Sequence, residues 1–264
     1  MAMDTSNGFD IYMTDLRGGG GAWLALPMPW DELHEQVQRI TKDGIGAITR
    51  LDDHEGILDR IGLDIDPRTN PDGILQRIDM DIDPLVDPDL LNATAILLAR
   101  AEPDTIDALA ALAQIRREHT GRPLTPEGYA SVLILTENGT PIPYTPYRDG
   151  DTSHSDGRDR YARLASSLLH TGTCTAADRF VDAGYADCID LYALGRRITR
   201  RTMLLPADNG YIDANRPIPS TDAYDRDAII EHVKATDTTA ATPAGLPDWD
   251  LSPDLINGTG AHTR

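Results

Sequence analysis

Residues 9–40 read FDIYMTDLRGGGGAWLALPMPWDELHEQVQRI, and this stretch decides the fold class. Phe9, Ile11 and Met13 alternate with Asp10, Tyr12 and Thr14, the period-two pattern of a half-buried strand. Gly18 to Gly21 end it, and AWLALPMPW forms a second extended segment closed by Pro27 and Pro29, which have no N–H for a sheet ladder. Leu33, Val37 and Ile40 then recur at helical spacing. Asp31, Glu32 and Glu35 stand at the start of that helix, where its dipole favours anions. GIGAITRLDD (44–53) is β-branched enough to return as a strand, which predicts a small α+β unit of roughly sixty residues.

Beyond it lies a near-repeat, RIGLDIDP at 60–67 and RIDMDIDP at 77–84. Each copy alternates Ile, Leu or Met with Asp, and an extended copy sets its acids on one face, about 6.6–6.8 Å apart. A calcium-binding EF-hand loop needs Asp or Asn at its third and fifth positions and Gly at its sixth. Counting from Asp64 the fifth position is Arg68, and counting from Asp79 the sixth is Pro84, so neither copy fits.

DLLNATAILLARAEPDTIDALAALAQ (89–114) predicts two helices, the second opening at Pro103. YASVLILTENGTPIPY (129–144) reads as a buried strand, an Asn138-Gly139 turn and a return strand. RDGDTSHSDGRD is a loop, RYARLASSLLHTG a helix stopping near Gly172, and a short helix follows around 177–183. CIDLYALGRRITRRTMLLPADNGYIDA reads as a helical turn and one or two strands. From 218 the composition turns to Thr, Pro, Asp and Ala, and apart from a short helix at DAIIEHVKA this tail is expected to be mostly disordered.

Charge narrows the function. The 264 residues carry 43 acidic and 24 basic side chains, a net −19, and 35 of the acids are Asp. Such a balance disfavours nucleic acid and anionic membrane, both polyanions, and favours basic partners. The acids are unevenly placed: residues 1–112 carry −14, residues 113–217 are neutral, and residues 218–264 carry −5. From Asp52 to Asp89 twelve acids face three arginines, −9 in 38 residues. Adaptation to high salt spreads acids over a whole surface, so this localisation points to a site.

Other chemistry finds little support. Asp52, Asp53, His54 and Glu55 are contiguous, and neighbours on a strand point to opposite faces rather than toward one ion. His170 beside Cys174 reads as packing, and the chain has no P-loop, G-x-S-x-G or H-E-x-x-H motif. Cys174 and Cys188 lack zinc spacing and read as reduced structural thiols. The RRITRR cluster (196–201) is expected to be neutralised internally. No enzyme, cofactor or metal is expected. With neither a long apolar run nor the basic flank of a signal peptide, the protein is expected in the cytoplasm.

The order of these segments resembles the ArdA antirestriction family. IYMTDL, AWLALPMPWDELHEQVQRI, AITRLDDHEG, LLNATAILLA, RYARLASSLLHTG, CIDLYALGRRI and GYIDA carry the resemblance, in register over roughly residues 9–214. Three features depart from it: the basic RRITRR, the long Asp-rich insert near 60–84, and the stretch beyond Pro217.

The resemblance implies an elongated α+β protein of three small domains (α+β, helical, α+β), usually a homodimer. Its carboxylates would follow the phosphates of B-DNA and occupy the DNA-binding groove of a type I restriction–modification enzyme. On this sequence the domains fall at 1–62, 63–115 and 116–217, followed by the tail 218–264. The phosphate-mimicking carboxylates would be Asp31, Glu32, Glu35, Asp52, Asp53, Glu55, Asp59, Asp64, Asp66, Asp72, Asp79, Asp81, Asp83, Asp87 and Asp89. Direct binding of nucleic acid or membrane is not expected. The rival reading is an acidic adaptor that grips a basic partner through these segments or through DWDLSPDLI (248–256) in the tail.

Overall fold

The computed structural model describes residues 9–15, 21–41, 49–54, 87–147 and 160–240. It is mixed α+β. Strand β1 (Phe9–Asp15) lies between β2 (Gly21–Leu26) and β3 (Thr49–His54) in an antiparallel sheet. Phe9, Ile11 and Met13 are buried as the alternation requires, together with Leu24 and Leu26 of β2. Helix α1 (Trp30–Ile40) follows, with Leu33, Val37 and Ile40 buried.

Helices α2 (Pro88–Arg100) and α3 (Pro103–Thr120) both open on proline, whose missing N–H costs nothing in a first turn. The Asp87 side chain caps α2 by accepting from the N–H of Asp89 at 2.8 Å. Gly121, in the left-handed region at φ 70°, ends α3. Nine consecutive residues of α2, Leu90 to Leu98, are buried, so this helix is surrounded by protein.

The stretch expected as a strand and hairpin at 129–144 is largely helix α4 (Pro126–Glu137). Thr125 caps it by accepting from Gly128 N, and Pro126 sits in its first turn. Helix α4 packs on α2, and burial on all sides explains its unbroken apolar run. Only β4 (Tyr144–Pro146) of the expected return strand forms.

The C-terminal half holds α5 (Arg160–Leu168), α6 (Thr175–Asp182), a 3-10 turn (Ala186–Cys188), α7 (Leu191–Thr202), β5 (Leu204–Pro206) and β6 (Gly210–Asp213). The arginine cluster expected on a strand therefore lies on a helix. Asp190 caps α7 by accepting from Ala193 N, and Leu191, Leu194 and Ile198 form its inner stripe. Strands β4, β6 and β5 pair antiparallel in that order.

The expectation of a mostly disordered tail from 218 is corrected as far as Ala240. Helix α8 (Arg226–Ala240) buries Ile229, Ile230 and Val233 and packs on α2 and α4. Ser131 of α4 exchanges hydrogen bonds of 3.3 Å with the backbone N–H and C=O of Tyr224, fixing the approach to that helix. Residues 241–264, with the DWDLSPDLI segment, lie outside the described residues.

One continuous core runs from Phe9 to Val233, drawing on β1, β2, α1, α2, α3, α4, β6 and α8. It crosses the boundaries expected at 62, 115 and 217. A smaller cluster joins Tyr147, Leu164, Ala165, Leu168 and Ile198 between α5 and α7.

Candidate functional site

Asp31, Glu32 and Glu35 are exposed on α1, whose opposite stripe is anchored in the core. Burial of Leu33, Val37 and Ile40 contributes roughly 1.5–3 kcal/mol each, enough to hold the helix in one orientation. Asp31 and Glu32 occupy the first turn, where the helix dipole offsets their mutual repulsion. Among the described residues neither has an ion-pair partner. Glu35 pairs with Arg39 one turn on, at 2.6 Å, an exposed pair that contributes little to stability.

Asp87 and Asp89 behave differently. Asp87 caps α2 and receives both Nε and Nη2 of Arg226, at 2.9 and 2.5 Å. Asp89 lies 3.0 Å from His34 Nε2 on α1 and 3.9 Å from Arg226 Nη2. Arg226 also donates to Asp227 at 2.6 Å. Partial burial works against the charge of Arg226, but its hydrogen bonds with Asp227 and Asp87 outweigh this and raise its pKa above the ordinary value. These two aspartates thus tie α1, α2 and α8 together within the fold.

The same contacts set α8 beside α1, and Lys234 Nζ stands 4.5 Å from the centre of the Trp30 ring. Helix α8 adds exposed Asp227 and Glu231, one turn apart, which sequence reasoning missed because the segment was read as tail. Its signal was present: Ile229, Ile230 and Val233 at helical spacing, with Glu231 and His232 between them. Counting Asp31, Glu32, Glu35, Asp87, Asp89, Asp227 and Glu231 against Arg39, Arg226 and Lys234, the neighbourhood of α1, the start of α2 and α8 carries −4.

Asp52 and Asp53 lie on β3. Asp53 pairs with Tyr12 and Leu51 with Met13, so the irregularity between them takes up Asp52. Glu55, Asp59, Asp64, Asp66, Asp72, Asp79, Asp81 and Asp83 lie outside the described residues.

Nucleophilic chemistry gains no footing around Cys174. Burial pushes its thiol pKa up, and the Asp178 carboxylate adds to this, disfavouring the thiolate. His170 Nδ1 stands 3.6 Å from Asp182, while the His170 backbone N–H donates to Asp178. Both cysteines are free, and Cys188 is exposed. Among the described residues no group of three His, Cys, Asp or Glu side chains is placed to hold a metal ion. Among them, too, no helix is long and apolar enough to cross a membrane.

Set against known protein families, characterised proteins and solved structures, the chain finds no match. The acidic surface is therefore interpreted from its own chemistry. Exposed carboxylates accept hydrogen bonds from cationic donors such as Arg and Lys.

Proposed function

We propose that this is a non-enzymatic, cytoplasmic antirestriction protein that occupies the DNA-binding groove of a type I restriction–modification enzyme as a stand-in for B-DNA. The observation that carries the reading is α1: Asp31, Glu32 and Glu35 are exposed on a helix whose other face is locked into the core. Exposed α8 acids beside it extend the anionic surface. The concentration of charge in residues 1–112 and the ArdA-like order of segments support the same reading.

The physical basis is competition for cations. DNA presents one charge per about 1.7 Å of axis, and much of its affinity for proteins comes from those charges. Carboxylates on a rigid scaffold engage the same Arg and Lys side chains without the ordering cost of a floppy polyanion, and they offer no scissile bond. Protecting incoming mobile DNA is the role that fits. Asp87 and Asp89 act in this scheme as supports that set α1 against α8.

Titrating the protein into a type I cleavage reaction tests the proposal. Inhibition should be complete near one protein per DNA-binding site. Full cleavage at a large molar excess would remove it, and salt-sensitive capture of some other basic protein would then favour the adaptor reading.

A further inference from the structure

Helix α7 presents Arg196, Arg197, Arg200 and Arg201, all exposed and spaced as two pairs one turn apart. Among the described residues none of the four has a carboxylate partner, so the internal neutralisation expected of them is not met there. Other arginines do find acids: Arg39, Arg100, Arg160 and Arg226 are each paired. The helix dipole accounts for Arg200 and Arg201, which lie in the last turn. It does not account for Arg196 and Arg197, a turn earlier. The four arginines, Tyr192 and Asp190 line an open groove of about 660 Å³.

We propose that this groove binds the phosphodiester backbone of a single-stranded nucleic acid, with one base against Tyr192. The two arginine pairs are four residues apart, a rise of about 6.0 Å along the helix. Two arginine pairs at that separation can each take a phosphate. Tyr192 is 44% exposed, lies one turn before Arg196, and has the Arg196 guanidinium 5.7 Å from its ring centre. An aromatic beside cations is the pairing that single strands use, bases stacking while phosphates are neutralised. Asp190, the one acid among the described residues that line the groove, turns its Oδ1 to the N–H of Ala193 as a helix cap.

A bilayer fits this helix poorly, because its apolar residues Leu191, Leu194 and Ile198 are packed against the α5 side of the fold. The −19 of the whole chain does not forbid the contact. Residues 171–217 are neutral overall, and charges further away than a Debye length of about 8–10 Å are largely screened in physiological salt. Helix α7 packs chiefly on α5 and β5.

Fluorescence anisotropy of a labelled single strand of about 15 nucleotides, titrated with the full chain, tests this. Binding should weaken with salt at a log–log slope of about −1.4, for two phosphates at about −0.7 each. Changing all four arginines to Gln should weaken binding about tenfold or more, while the four-Lys variant keeps most of it and both retain the wild-type melting curve. Tyr192→Ala should abolish the preference for single over double strands. Three results would overturn the proposal: no anisotropy change at low salt, equal binding by the Gln variant, or loss of self-association on arginine removal without loss of binding. The last would assign the face to a second copy. Inhibition of restriction should be unchanged in the Gln variant, so this proposal and the preceding one fail separately.

Discussion

Asn92 and Met28 hold each other through two buried hydrogen bonds: Asn92 Oδ1 accepts from Met28 N and Asn92 Nδ2 donates to Met28 O, both at 2.9 Å. The side chain of one helix thereby replaces the sheet partner that the chain loses as it leaves β2, and it orients the entry to α1. Replacing Asn92 with Leu should strand both groups and cost about 2–6 kcal/mol, at 1–3 for each unsatisfied group. Urea denaturation reads the loss. A variant as stable as the wild type would show that solvent reaches Met28.

Gly195 allows α7 to lie against α5, since a Cβ there would meet the carbonyl oxygen of Tyr161 at 1.8 Å. Glycine to alanine inside a helix ordinarily stabilises by about 1 kcal/mol, so the sign of the effect is diagnostic. Gly195→Ala should destabilise by about 1–3 kcal/mol through overpacking. Near-ultraviolet circular dichroism should also change as the edge-on contact of Tyr161 and Tyr192 is lost.

Alkaline stability follows from two tyrosines. Burial is the largest influence on both and raises the Tyr144 and Tyr147 phenols above the ordinary range. Asp107 and Asp104 add to the rise at Tyr144, while Arg163 and Arg160 oppose it at Tyr147. The native state keeps these protons after the unfolded chain releases them near pH 10. Their contribution is therefore full below about pH 10 and declines as the pH rises through the folded values. Urea midpoints measured between about pH 8 and pH 11 should fall, and the Tyr144→Phe/Tyr147→Phe pair should flatten that fall.

Neutralising the exposed acids should weaken inhibition in steps. Asp31→Asn, Glu32→Gln, Glu35→Gln, Asp227→Asn and Glu231→Gln should each cost about 0.2–1 kcal/mol of enzyme binding, in the range of exposed ion pairs. Asp52, Asp53, Asp64, Asp66, Asp79, Asp81 and Asp83, changed to Asn, should extend the same series. Asp87→Asn should instead lower stability, because Arg226 loses the carboxylate charge that ties α8 to the start of α2. Inhibition constants and melting curves separate the two behaviours. A single exposed substitution that abolished inhibition would point to a discrete site in place of a distributed field.

Alternation and caps made the N-terminal half legible. Phe9, Ile11 and Met13 are buried as their spacing requires, and Leu33, Val37 and Ile40 sit on the buried face of α1. Where an element is buried on every side, periodicity vanishes. The Val132–Leu135 run was therefore ambiguous, and Asn138-Gly139 favoured a hairpin, although Thr125-Pro126 is a helix start. Basic α7 was misread because its apolar stripe is short, Leu191, Leu194 and Ile198, and stands among four arginines. Helix α8 was underestimated because composition conceals two contacts only the fold supplies, Ser131 with Tyr224 and Asp87 with Arg226. In the candidate site, Asp31, Glu32 and Glu35 stand exposed in the helix where the sequence set them. The engagement of Asp87 and Asp89 depends on partners 139 residues and 55 residues distant in the chain, beyond the reach of local pattern.

Competition for the enzyme's groove is the most direct test of mimicry. A fluorescent DNA duplex bound to the modification core of a type I enzyme should be displaced one for one by this protein. The apparent affinity should fall as salt rises, because the contacts are ion pairs. A stable ternary complex holding duplex and protein together would contradict the account.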